Sequence, residues 1–153
     1  MIDIKSVYEK FQSHPDFKIS RWISLEEAKI LQTYAKDFPL CFESGTANGF
    51  SSYAMGLVMA ENSIIHSYDP FERVKIWEFL PKLNLSINFY KKKFKESKAL
   101  VETKIAPSIF FIDGGHSRSE VTEDWDSIKN FLTKNDLVIF HDVVGESGVH
   151  RFW

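Results

Sequence analysis

Apolar and polar positions change period along the chain, and the changes mark its elements. Ile4, Val7, Tyr8 and Phe11 recur at helical spacing, which predicts a helix over 2–12 closed by His14-Pro15. Ser24 followed by Glu27 is a capping-box pattern, with Ile23 and Ala28 placed as a hydrophobic staple. A second helix therefore starts there and runs to about Lys36. The period then shortens. Leu40-Cys41-Phe42 is an apolar run that ends in Glu43 and opens into Ser44-Gly45-Thr46-Ala47-Asn48-Gly49, a buried strand feeding a glycine turn. Residues 50–60 follow as a largely apolar helix. Ile64 to Tyr68 reads as a second strand stopping at Asp69-Pro70, and Val74, Trp77 and Leu80 predict a helix over 71–80. Ile87, Phe89 and Lys91 alternate in a weaker third strand, with a helix around 95–103 after it. Ile109-Phe110-Phe111-Ile112 is the clearest strand and runs into Asp113-Gly114-Gly115-His116. Ser117 and Glu120 repeat the capping-box pattern, and Val121, Trp125, Ile128 and Leu132 line one face of the next helix. Leu137-Val138-Ile139-Phe140 is the fifth strand, ending at His141-Asp142.

Strands alternating with helices predict an α/β fold, a Rossmann-like parallel sheet of about five strands. Near-continuous apolar strands fit a sheet with helices on both faces. The chain of 153 residues reads as one domain, with an N-terminal helical segment 1–37 and a core 38–153. Hydrophobic residues at 44% and charged residues at 26% exclude a disordered tail, a collagenous fibre and a disulfide scaffold. The 14 Phe against 4 Trp and 5 Tyr point to a core built on large flat side chains.

Cys41 is the single cysteine, which favours a reducing, cytoplasmic setting. No apolar run approaches about 18 residues, so no membrane span is expected. The N-terminus lacks the apolar stretch of a signal peptide. A net charge of −2 makes nucleic acid an unlikely partner, and Lys91-Lys92-Lys93-Phe94-Lys95 reads as a solvated strand end.

The candidate chemistry collects at one edge. In a parallel sheet of this kind all strand C-termini lie together, and ligands bind there. Four strands run straight into carboxylates, at Glu43, Asp69, Asp113 and Asp142. Six of the seven glycines follow the first, fourth and fifth strands, namely Gly45, Gly49, Gly114, Gly115, Gly145 and Gly148. The small residues of the first loop let a ligand approach the backbone, and the helix start near Phe50 offers N–H groups. Gly-x-Ala-x-Gly departs from the dinucleotide G-x-G-x-x-G. Asp69, twenty residues past Gly49, is placed to bind two ribose hydroxyls. Glu43 would repel a pyrophosphate but suits a ligand with an amino group or a sulfonium charge.

Glu43-x-Gly45-x-x-x-Gly49 resembles the first motif of class I S-adenosylmethionine-dependent methyltransferases. The stretches IFFIDGGHS and LVIFHDV resemble the branch with an Asp-Gly-x-His signature, which includes metal-dependent O-methyltransferases. The resemblance covers roughly residues 24–152. It implies methyl transfer from S-adenosylmethionine to a hydroxyl of a small-molecule acceptor or sugar. Cofactor contacts are expected from Glu43, Ser44, Gly45, Thr46, Asn48, Gly49, Asp69 and Asp113, and catalysis from His116, as base, with Asp113. A divalent metal, Mg²⁺ or Mn²⁺, is implied at Asp113, His141 and Asp142. His141 stands where an acidic residue is common. It argues either against a metal or for Mn²⁺ or another ion that accepts nitrogen.

Such proteins usually continue past the fifth strand with a helix and a hairpin, whereas this sequence stops at Val149-His150-Arg151-Phe152-Trp153. A catalytically silent S-adenosylmethionine-binding or structural protein on the same fold is therefore the alternative. In the expected strand order 3-2-1-4-5, the fifth strand is an edge without Pro or Lys. It predicts self-association, most simply a symmetric dimer, through 137–153.

Overall fold

The computed structural model describes residues 2–17, 23–143 and 149–150. Its helices are α1 (Ile4–Ser13), α2 (Leu25–Ala35), α3 (Phe50–Gly56), α4 (Lys98–Glu102) and α5 (Arg118–Ile128). Its strands are β1 (Leu40–Ser44), β2 (Ile64–Tyr68), β3 (Ser86–Tyr90), β4 (Ser108–Ile112) and β5 (Leu137–Phe140). The strands form one sheet in the order β3-β2-β1-β4-β5, and each neighbouring pair is parallel. This is the Rossmann-like arrangement expected, with β5 at an edge beside β4.

Side chains alternate across the sheet and divide the core in two. Cys41, Ile65, Ile109 and Phe111 face the layer that holds α1, α2 and α3. Phe42, Tyr68, Phe110 and Ile112 face the other, with Phe94, Val101 and Ile128. Phe42 and Phe110 stack at 5.1 Å with an interplanar angle of 9°. Both faces are covered, which is why β4 is apolar at every position after Ser108.

Both capping boxes form. In α2, Ser24 Oγ accepts the Glu27 N–H at 3.2 Å and Glu27 Oε2 accepts the Ser24 N–H at 2.6 Å. Ser117 and Glu120 do the same at the start of α5. Several expected helices are shorter than their periodicity suggests. The segment 71–80 holds only a 3₁₀ turn at Ile76–Glu78. Its backbone is committed elsewhere, because Asn48 takes both the Ile76 N–H on its carbonyl and the Val74 carbonyl on its side-chain amide, each at 2.8 Å. Those bonds to the glycine loop replace the helical ones, and Phe71 and Val74 stay exposed. The expected 50–60 helix stops at Gly56, and 95–103 splits into a 3₁₀ turn, Phe94–Ser97, running into α4. β3 ends at Tyr90, so Lys91 falls outside it. α5 ends at Ile128 and a 3₁₀ turn follows, yet Leu132 still packs on the same apolar cluster. Among the described residues, no helix is long and apolar enough to cross a membrane.

Candidate active site

The glycine loop after β1 is held in a fixed shape by its neighbours. Gly45 and Gly49 have φ of 89° and 84°, in the left-handed region open to glycine. A Cβ at Gly45 would lie 2.4 Å from the Asp113 carbonyl oxygen, so the two strand-end loops touch only because this residue has no side chain. Gly45 N–H and Thr46 N–H both donate to the Tyr68 carbonyl. Ala47 is gripped from both sides. Its N–H donates to Asp69 Oδ2 at 2.8 Å, and its carbonyl accepts from Lys75 Nζ at 2.6 Å. The other Asp69 oxygen accepts the Phe71 N–H at 2.8 Å. Lys75 is buried, its ammonium 4.0 Å from the centre of the Phe89 ring. Burial pulls the Lys75 pKa down, against the opposing pull of Asp69 and Glu43.

Glu43 lies beneath this loop, fully buried. Its carboxylate accepts hydrogen bonds from the hydroxyls of Ser51 and Ser52 on α3 and Ser67 on β2. Burial raises its pKa, the three hydroxyls work against the rise, and Asp113 adds to it. Glu43 therefore ties β1 to α3 and β2, and its carboxylate is not on the cleft wall.

A cleft of about 750 Å³ opens at the C-terminal edge of the strands, a size that suits a small-molecule ligand. Of the expected site residues, Ser44, Gly45, Asn48, Asp69, Asp113, His116, His141 and Asp142 line it. Thr46 faces a smaller adjoining space and bonds Ser67, and Gly49 sits against Trp77. Gly145, Gly148, Phe152 and Trp153 lie outside the described residues.

The far wall carries a chain of carboxylates and imidazoles. His141 Nδ1 lies 3.0 Å from Asp113 Oδ1 and 3.2 Å from Asp142 Oδ1. His141 Nε2 lies 3.0 Å from Glu27 Oε1, and His116 Nδ1 lies 2.7 Å from Asp142 Oδ2. Asp142 has φ of 55°, a left-handed conformation that Asp tolerates, and its two oxygens serve two different imidazoles. The Asp113 carboxylate is the main cause that lifts the His141 pKa to about 9. Burial opposes it, and Asp142 and Glu27 add to it. Burial in turn raises the Asp113 pKa, against its interaction with His141.

One atom of each of Asp113, His141 and Asp142 lies within 4.8 Å of the others. His141 Nδ1 is buried and close to two carboxylate oxygens, yet it is not aligned for a hydrogen bond with either. Two hard oxygens and a nitrogen converging without mutual hydrogen bonds fit a divalent cation that accepts nitrogen, such as Mn²⁺.

Three residues at the site were not singled out as functional by sequence reasoning. Asp124 lines the cleft and accepts a hydrogen bond from Ser44 Oγ at 2.6 Å. Burial raises its pKa to about 6. Its signal was its spacing from Glu120, one turn apart and beside the apolar face of α5. Glu27 was visible only as a cap, and Lys75 had no signal at all.

A doubly wound parallel sheet with a glycine loop after β1, a strand-end acid after β2 and a ligand-sized cleft above them is a nucleoside-binding architecture. The chain belongs to the methyltransferase domain family, which it matches over residues 42–143. Among curated proteins, none matches it. Among solved structures it is similar to the O-methyltransferase TomG from Streptomyces achromogenes, involved in tomaymycin synthesis and solved in complex with SAM. That match has 15% identity and a TM-score of 0.67, covering 99% of this chain and 77% of TomG.

Proposed function

We propose that this chain binds S-adenosylmethionine in the cleft and transfers its methyl group to a hydroxyl of a small molecule or sugar. The observation that carries the reading is the joining of two halves across one cleft. Asp69 stands on one wall, and the Asp113, His116, His141 and Asp142 group stands on the other. Each Asp69 oxygen accepts one backbone N–H and retains acceptor capacity for a ribose hydroxyl. The TomG complex with SAM supports the cofactor.

In the transfer, the acceptor oxygen forms a bond to the methyl carbon as the carbon–sulfur bond breaks, and the sulfur keeps the bonding pair. The acceptor proton must leave. Asp142 holds His116 Nδ1, so Nε2 is the nitrogen that takes the proton. A divalent cation at Asp113, His141 and Asp142 would supply Lewis acidity to the acceptor hydroxyl.

Calorimetric titration with S-adenosylmethionine and its demethylated product, with and without Mn²⁺, tests the reading. Binding of both compounds is expected, together with methyl transfer from labelled cofactor to hydroxylated acceptors. Binding without turnover on any acceptor would mark a silent cofactor-binding protein, and absence of binding would overturn the proposal. A cytoplasmic setting is supported by Cys41, buried and free.

Self-association through the 137–153 region is part of the same reading. Among the described residues β5 has one sheet neighbour, and none of its four residues is fully buried. Light scattering should show a dimer, and Ile139→Lys should dissociate it. A monomer near 17.8 kDa would refute the pairing.

A further inference from the structure

Glu27 does two jobs with one carboxylate. Oε2 accepts the Ser24 N–H at 2.6 Å, the capping-box bond that starts α2. Oε1 reaches across to the end of β5 and meets His141 Nε2 at 3.0 Å. The two residues are 114 positions apart in the chain. Capping alone does not require this second contact.

The contact matters because of what surrounds the imidazole. Both nitrogens of His141 face carboxylates, Nε2 toward Glu27 and Nδ1 toward Asp113 and Asp142. A cation on Nδ1 requires that nitrogen to give up its proton, and the imidazole then has one N–H to give. Placed on Nδ1, the hydrogen would leave no lone pair there for a cation. Placed on Nε2, it bonds Glu27 and turns the Nδ1 lone pair toward the two aspartates. A ligating histidine is commonly held in this way by a carboxylate on its far nitrogen.

We propose that Glu27 is the positioning residue of the cation cluster: its Oε1 holds the His141 hydrogen on Nε2 and so makes Nδ1 a ligand. The inference rests on the reading of Asp113, His141 and Asp142 as a cation site. It makes the first turn of α2 part of the site, although that helix precedes β1.

Glu27→Gln separates positioning from capping. Glutamine also serves at the third position of a capping box. Ser24 and His141 meet different oxygens of Glu27, and glutamine has an oxygen at only one of the two positions. With the oxygen on Ser24, the amide NH₂ faces His141 Nε2 and demands an acceptor there, which moves the hydrogen to Nδ1. Ser24→Ala is the counterpart, since it removes the capping hydroxyl and leaves Glu27 Oε1 in place.

The measurement is the affinity for Mn²⁺ alone, from electron paramagnetic resonance of the free ion, with melting temperature as control. Wild type should bind. Glu27→Gln should weaken Mn²⁺ about 10–100-fold with a melting temperature near wild type and unchanged S-adenosylmethionine binding. Ser24→Ala should melt earlier yet hold Mn²⁺ within about threefold of wild type. Wild-type binding with equal affinity in Glu27→Gln overturns the role of Glu27 alone. Absence of Mn²⁺ binding in wild type overturns the cation reading and this inference together.

Discussion

Asp124→Asn should stabilise the protein at alkaline pH and leave it unchanged in acid. Asp124 is buried on the cleft wall, with Ser44 Oγ at 2.6 Å. Burial lifts its pKa from 3.8 to about 6, and the Ser44 bond offsets only part of that. The unfolded chain releases this proton near 3.8, so between that pH and about 6 the folded state holds more of it. Stability contributed by the neutral acid is fully present below 3.8 and is lost as pH rises through about 6. The rise from 3.8 to about 6 corresponds to about 3 kcal/mol at most.

Asparagine keeps the shape and an oxygen for Ser44 but never ionises. At pH 8 the variant should therefore gain up to about 3 kcal/mol, or roughly 6–12 °C in melting temperature for a chain of this length. At pH 4 the gain should shrink toward zero. Thermal melts followed by circular dichroism across that range measure it. A variant that melts lower than wild type at pH 8, or whose gain is the same at both pH values, refutes the reasoning. The result also bears on function, because an acid kept at such a cost on a cleft wall is the pattern of a group retained for binding or catalysis.

Three further outcomes are expected. Asp69→Ala should weaken S-adenosylmethionine binding by about 1.5–3 kcal/mol, the usual size for hydrogen bonds to a charged group; calorimetry showing unchanged affinity in a folded variant would remove the ribose assignment. His116→Ala should lower turnover about 10²–10⁴-fold with cofactor affinity nearly intact, and steady-state kinetics beside a titration would expose a structural role if both fell together. Gly45→Ala places a Cβ 2.4 Å from the Asp113 carbonyl at a φ of 89°, so chemical denaturation should show a loss above about 2 kcal/mol; a near-neutral change would mean that the two loops can separate freely.

The edge of the sheet was legible because local rules and global topology agree there. The strands β1, β2, β4 and β5 each carry a carboxylate at or just past the C-terminal end, at Glu43, Asp69, Asp113 and Asp142. Parallel order alone then brings these ends together. The segment 71–80 failed for the opposite reason, since Asn48 claims its backbone and periodicity records side chains only. Glu43 stands at the expected strand end, but its side chain is buried away from the cleft. Both faces of β1 are buried, so no polar alternation tells which way a side chain points. Its serine partners come from α3 and from Ser67, which pairs with Glu43 in the register of β1 and β2, a match that only the assembled sheet defines. Glu27 shows a further limit. Its cap is a short-range pattern, while its second oxygen finds a partner at the far end of the chain.

The double grip on Ala47 has a consequence for how a ligand is received. Residues 45, 47 and 49 all have positive φ, and the Ala47 amide and carbonyl are tied to Asp69 and Lys75. The unfavourable backbone conformations are thus met when the chain folds, and no guest molecule has to impose them. Association with this half of the cleft becomes the docking of a rigid body on a finished receptacle. Little chain entropy is lost on entry, so selectivity among ligands rests on shape and hydrogen-bond match at encounter rather than on the ability to organise the loop.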